Sequence, residues 1–383
     1  MKLDIFLSKL NLKLVAYLIM IATAVYTLAF TFLHNKKADG YILGDWLINY
    51  QDGGFKRRGL SGSFFFLLQD LTGFPLNYLV FGFQLVIIVS FFFIYFKIIK
   101  NRKLDLLYIS LMLSSVGFVG LFNCVDYAGK KEFIIFLLFA LLVFWLINNK
   151  LTRTKEWIIV LGLFITMFLH EIALFFVPYF VIALYLKEGK FELKRYIKYF
   201  AAVFIPAVLI VLFGKEINEG HSLAILKERG VIFTRGIFFW DINEREYIKN
   251  AFDDYRWYFL SVAISVFHVI FYLKTEKISK IVGWMILGAF LFSLPLFVLA
   301  IDWGRWMYIH MMFLIIMFPI LIKPTKTIWE YSPIELNKTY LITFLIIFIS
   351  LIYRVEMSGK GFTFEGLFYR IFFVPFELIH KMI

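Results

Sequence analysis

Charged residues in this chain fall almost only at the ends of long apolar runs. About eleven such runs, near 14–33, 76–96, 104–123, 133–148, 157–169, 172–186, 199–213, 257–273, 281–301, 306–322 and 339–353, alternate with short polar connections. Most reach the roughly 17–25 residues that a transmembrane helix needs. In hydrocarbon every backbone N–H and C=O must be satisfied by the chain itself, so runs of this length fold as helices. The expected fold is all-α: a polytopic integral membrane protein of about eleven transmembrane helices, with residues 1–383 forming a single membrane domain. Composition agrees, with 61% hydrophobic and only 17% charged residues, against about a quarter charged in soluble domains. The pair 157–169 and 172–186 does not reach that length. It forms either two short helices meeting in the bilayer or one long kinked helix.

The polar connections set the orientation. The net charge of +13 lies entirely on the N-terminus and the even-numbered connections, as in Lys97, Lys100, Arg102 and Lys103. Lys and Arg prefer the cytoplasmic side. The N-terminus is therefore expected in the cytoplasm and the odd-numbered connections outside. Two outer loops, 34–75 and 215–256, are longer than a turn requires, and long loops tend to serve function. Within the first, Leu60 to Leu71 reads as an interfacial helix. The tail after Gly361 reads as a second one, broken at Pro375. The basic excess suits anionic lipid rather than nucleic acid. The short cytoplasmic links hold no GxxxxGK[ST] loop. The one cysteine, Cys124, excludes a disulfide framework and a Cys-based metal site.

Four polar clusters fall on the outer side by this count. The first is GDWLINYQDGGFKRRGLSG, Gly44 to Gly62. Gly53 and Gly54 permit a tight turn, and Lys56, Arg57 and Arg58 follow it. Guanidinium groups bind phosphate oxygens in a bidentate fork, while Asp45 and Asp52 either join them in a site or simply neutralise them. The second is NCVDYAGKKE, Asn123 to Glu132, with Asp126 and Lys130 at the membrane edge. The third is His170–Glu171, set inside an otherwise apolar stretch from Trp157 to Leu186. Ionisable groups at such depth are costly and usually functional, and a carboxylate beside an imidazole can act as a general base. The fourth is DWGRW, Asp302 to Trp306, where Arg305 suits phosphate or sugar. Its tryptophans suit either sugar stacking or the interfacial aromatic belt. Each cluster also has a plain structural reading, such as a charged hairpin or a buried polar pair.

On these features the chain resembles the O-antigen and capsule polysaccharide polymerases of bacterial surface assembly, and more loosely the GT-C membrane glycosyltransferases. The second resemblance rests on Asp45 in the first outer loop, where that class places an essential acidic residue. It implies a membrane glycosyltransferase acting on polyprenyl phosphate- or pyrophosphate-linked glycans at the outer face of the cytoplasmic membrane. Glu171, His170 and Asp45 would be catalytic. Arg57, Arg58, Lys56, Asp52, Asp126, Lys130, Asp302 and Arg305 would bind substrate. Donor and acceptor would be lipid-linked glycans in a bacterial inner membrane, alongside other polysaccharide-assembly membrane proteins. The first outer loop has no D-x-D or E-x-D pair, and cationic side chains can neutralise a pyrophosphate. The expectation is therefore no metal and no cofactor. The rivals are a flippase or transporter for lipid-linked sugars and a membrane acyltransferase that decorates polysaccharide through His170.

Overall fold

The computed structural model describes residues 11–217, 219–325 and 337–373. The expected break at Pro375 lies outside them. The described residues are helical, with no strand beyond two isolated β-bridges. We label the longer helices α1 (Leu12–Lys36), α2 (Gly59–Thr72), α3 (Leu76–Lys100), α4 (Glu132–Ile147), α5 (Arg153–Leu169), α6 (Pro178–Glu188) and α7 (Leu193–Phe213). The series continues with α8 (Trp257–Thr275), α9 (Lys280–Leu299), α10 (Trp303–Met317) and α11 (Lys338–Ile352).

Six helical segments among the described residues are long and apolar enough to cross a membrane: Leu12–Lys36, Leu76–Lys100, Leu193–Phe213, Phe252–Thr275, Lys280–Leu299 and Trp303–Ile320. The first five have only 28% to 39% of their residues buried within the protein. A helix apolar on all sides that keeps so much surface suits a lipid surround. The eleven-span count is not reproduced at this length, because five of the apolar runs fold into shorter helices. The run 104–123 divides into Leu106–Met112 and Phe118–Asn123. Between them lie Ser114, Ser115 and Gly117, residues that favour turns over helix.

The chain divides into two compact units. One comprises residues 1–26, 95–127 and 243–383; the other comprises 27–94 and 128–242. In the first unit α10 is the core, with every residue from Gly304 to Met317 buried.

In the second unit the run 157–186 is neither a continuous span nor a kinked helix. It is a helical hairpin turning at His170–Glu171. The proof is at its open end. Arg195, in the first turn of α7, bonds Glu156 in the first turn of α5 at 2.6 Å and Glu188 at the end of α6 at 2.5 Å. The start of α5 and the end of α6 therefore meet. Helix α4 precedes α5 across the short link Asn148–Thr152 and packs against it. Helix α2 packs on the same α5. It forms where an interfacial helix was expected and exposes Phe64, Leu67 and Leu71.

Candidate active site

Three helix ends and one short helix converge at the hairpin turn. Arg58 precedes α2, Lys131 precedes α4, and His170–Glu171 follow α5, while Asp45 and Trp46 lie in the short helix Leu43–Trp46. The turn before α2 uses Gly53 (φ +145°) and Gly54 (φ +108°), conformations open mainly to glycine. Arg58 itself is left-handed (φ +63°). A non-glycine residue holds that conformation only where its surroundings fix it, and such positions gather at functional sites. Gly62 lets α2 lie directly on the preceding segment. A Cβ there would come within 2.3 Å of the Ile48 carbonyl oxygen, to which the Gly62 N–H donates at 3.0 Å.

The guanidinium of Arg58 joins two carboxylates. Its Nε and Nη2 donate to the two Glu171 oxygens at 2.8 and 2.5 Å, a bidentate fork, and its Nη1 donates to Asp45 Oδ1 at 2.9 Å. Lys131 closes the other side. Its Nζ donates to the Asp45 carbonyl at 2.7 Å and to Ser61 Oγ at 3.0 Å. It also lies 3.5 Å from Asp45 Oδ2 and 5.4 Å from the centre of the Trp46 ring. Trp46 Nε1 donates to the Gly129 carbonyl at 2.8 Å, as does Gln84 Nε2. This fixes the loop that delivers Lys131. His170 accepts the Ile172 N–H on Nδ1 at 3.2 Å, which braces the turn beneath Glu171.

Exposure grades these groups. Lys131 and Asp45 are buried, the Glu171 side chain is 27% exposed, and Arg57 is 62% exposed with Nη1 3.7 Å from Glu171 Oε1. The site is thus a buried ion network with one carboxylate edge and one guanidinium facing outward. Burial alone pushes the Asp45 carboxyl up, but Lys131 and Arg58 outweigh it and hold it far below the usual carboxylate range. Glu171 behaves the same way: burial raises it, and the stronger pull of Arg58, with His170 and Arg57, holds it well down. Burial lowers the Lys131 ammonium to about 8, with Asp45 opposing the fall. Both carboxylates therefore stay ionised at every physiological pH, and Lys131 is the group poised to titrate.

The structure brings together Asp45, Arg57, Arg58, His170 and Glu171. Lys130 is half-buried beside them, but the residue that enters the network is its neighbour Lys131. Lys131, Ser61 and Trp46 were not singled out as site residues. Lys56 and Asp52 take a different role. They pair with each other in the interior, Ser222 Oγ donates to the same Asp52 carboxylate, and Lys56 Nζ reaches the Glu216 carbonyl. This buried pair anchors the 215–217 segment to the turn and leaves little for a substrate. Asp302, Arg305 and Asp126 belong to the other unit. There Arg305 is buried, bonds Asp302 at 2.9 Å and lies over the Trp306 ring. Asp126 is exposed at the start of the 3₁₀ turn Val125–Tyr127. No cluster of three His, Cys, Asp or Glu side chains suited to a metal occurs among the described residues. No protein family, curated protein or solved structure matches the chain.

Proposed function

We propose that the protein is a membrane glycosyltransferase acting on polyprenyl phosphate- or pyrophosphate-linked glycans at the outer face of the bacterial cytoplasmic membrane, and that it polymerises a surface polysaccharide. One observation carries the reading. Two ionised carboxylates share one guanidinium at a hairpin turn, with a second guanidinium, Arg57, open beside them. Burial of so many charges is costly and contributes little to stability, which favours a chemical reason for them.

Glycosyl transfer breaks the bond from the sugar anomeric carbon to the phosphate oxygen and forms one to an acceptor hydroxyl oxygen. Negative charge grows on the departing phosphate and positive charge on the ring. Preorganised opposite charges at those two places lower the barrier. Arg57, exposed and loosely held, meets the phosphate, with Lys130 nearby. Glu171 presents its open edge to the acceptor hydroxyl and to the ring. An efficient general base has a pKa near the working pH, and Glu171 is held far below that. Its part is therefore to orient the hydroxyl and stabilise the positive ring, taking the proton only late. Asp45 and His170 act through others: Asp45 orients Arg58, and His170 braces the turn.

The topology belongs to the same proposal. The Arg195 cluster and the Arg58 cluster lie at opposite ends of α5, a helix about 25 Å long at 1.5 Å per residue. We read them as marking the two membrane surfaces, with α4, α5 and the returning arm 172–188 crossing between them and the N-terminus in the cytoplasm. The test is to delete the gene and restore wild type, Arg57→Ala or Glu171→Gln, then analyse the cell-surface glycan by gel. Wild type should restore the long-chain ladder, while both variants leave a single lipid-linked unit. A full ladder from both variants, at normal protein level, would overturn the assignment.

A further inference from the structure

We infer that an apolar groove between α6 and α7 holds one acyl chain of an anionic phospholipid, with the lipid phosphate on the lysines at the groove's mouth. The groove measures about 520 Å³ and is lined by Val181 of α6, by Phe191, and by a stripe of α7 that includes Tyr196, Ile197, Ala201 and Phe204. That volume falls within the roughly 300–1,000 Å³ of small-molecule sites.

The sequence builds the groove. Its α7 residues recur at three- and four-residue spacing, so they share one face of the helix. Tyr199, Ala202 and Val203, on the opposite face, are buried. Gly189 ends α6 in the left-handed region (φ +66°) and turns the chain back toward α7. The Tyr196 hydroxyl donates to the Lys190 carbonyl at 2.7 Å, which ties this turn to α7, and Phe191 stands edge-on against Tyr196 with ring centres 5.0 Å apart. Phe191 thus walls one end, and the small side chain of Ala201 leaves room at mid-depth.

The lining decides one half of the occupant. Its one hydroxyl, on Tyr196, is already donating to Lys190. The groove therefore offers contacts to hydrocarbon. From Leu193 to Phe204 the stripe runs about 17 Å at 1.5 Å per residue. This is close to half of the roughly 30 Å hydrocarbon core, the depth that the chains of one leaflet fill. Helix α7 is long and apolar enough to cross the membrane, and Phe191, Leu193, Ile197 and Phe204 are exposed, so the groove opens toward lipid.

Charge decides the other half. Residues 187–198, together with Glu156, hold five cations and three carboxylates. Arg195 bonds Glu156 and Glu188 and lies 3.9 Å from Glu192, while Lys198 lies 2.8 Å from Glu156. All three carboxylates are therefore met by Arg195 and Lys198. Lys187, Lys190 and Lys194 are exposed and make no ion pair among the described residues. Lys194 lies on the groove face, one turn ahead of Ile197, and Lys190 directly precedes Phe191. Basic residues at the end of a span attract anionic head groups. A zwitterionic lipid would bring a further cation to three already there. The inference needs α7 in a bilayer and does not rest on the transferase reading.

The experiment is native mass spectrometry of the full chain in a neutral detergent. The probes are palmitoyl-oleoyl phosphatidylglycerol, the phosphatidylcholine with the same chains, and inorganic phosphate. Wild type should retain one phosphatidylglycerol several-fold more often than phosphatidylcholine, and phosphate should not displace it. Ala201→Trp, which fills the groove, should lose that lipid. Lys190→Gln combined with Lys194→Gln should retain the two lipids equally, and Glu171→Gln should behave as wild type. Unfolding temperatures check that the variants are folded. Equal retention of both lipids by wild type, displacement by phosphate, or retention unchanged in Ala201→Trp would each overturn the inference. A several-fold preference for a polyprenyl phosphate over phosphatidylglycerol would also overturn it, and would make the groove a substrate site instead.

Discussion

At the scale of single residues, Arg57 and Arg58 are adjacent in sequence and opposite in role, and stability separates them. Arg58 compensates two carboxylates, one of them buried. Removing one partner of a buried ion pair typically costs about 3–5 kcal/mol, because the remaining charge stays behind. Arg58→Met should therefore lower the unfolding temperature of the purified protein sharply. Arg57→Ala should leave it within the roughly 0–1 kcal/mol typical of exposed pairs while abolishing transfer. Equal unfolding temperatures for the two would contradict the network. Lys131 gives a second prediction. Its folded pKa is lowered from 10.5 to about 8. Between about pH 8 and 10.5 the unfolded chain holds the proton that the folded chain has lost, so stability contributed by this group rises with pH over that window. Catalytic competence should move the other way, because a neutral Lys131 unbalances Asp45. Initial rates of transfer to a lipid-linked acceptor should fall as pH rises through about 8, and Lys131→Arg should shift that limb upward. A limb unmoved by Lys131→Arg would assign it to another group.

At the scale of elements, the charged connections were legible and the helix boundaries were not. Asp45, Arg58 and His170–Glu171 could be grouped because each sits at the end of an apolar run, and counting runs put them on one side. The choice of Lys130 over Lys131 could not be made that way. Consecutive residues at a helix start point about 100° apart, and only packing decides which enters. Hydropathy also could not show that the run from Trp157 to Leu186 turns back on itself. Both arms are equally apolar, and the signal for the turn is the Glu156–Arg195–Glu188 contact between residues far apart in sequence. The close approach at Gly62 has a measurable consequence. Gly62→Ala places a methyl against the Ile48 carbonyl, so α2 must shift off the 47–50 segment. Overpacking of this kind costs about 1–3 kcal/mol. The unfolding temperature should drop, and transfer should drop with it because Arg58 moves with α2. An unchanged unfolding temperature would mean that α2 has room to adjust.

At the scale of the whole molecule, the question is which charge cluster faces which side. Helix α7 gives the cleanest ruler. It runs from the Arg195 cluster to Phe213, about 31 Å at 1.5 Å per residue, which matches the roughly 30 Å hydrocarbon core. Just beyond its far end the Lys215 N–H donates to the Phe55 carbonyl beside the Arg57–Arg58 turn. Residues before α7 and after it should therefore be accessible from opposite sides. On the proposed topology the basic connections put the Arg195 end in the cytoplasm. Because Cys124 is the only cysteine, Cys124→Ser gives a background for single reporters. Lys190→Cys, exposed ahead of α7, and Glu228→Cys, exposed at the end of the helix Glu219–Glu228, bracket the span. In intact cells a membrane-impermeant maleimide should label Glu228→Cys and not Lys190→Cys; permeabilisation should then admit label to Lys190→Cys. Reversed labelling would put the Arg58–Glu171 network in the cytoplasm, where a lipid-linked glycan awaiting export is not yet assembled into polymer. Labelling of both without permeabilisation would remove α7 from the set of spans. Only the predicted order keeps Arg57, Glu171 and the hairpin turn on the surface where the proposed substrate is displayed.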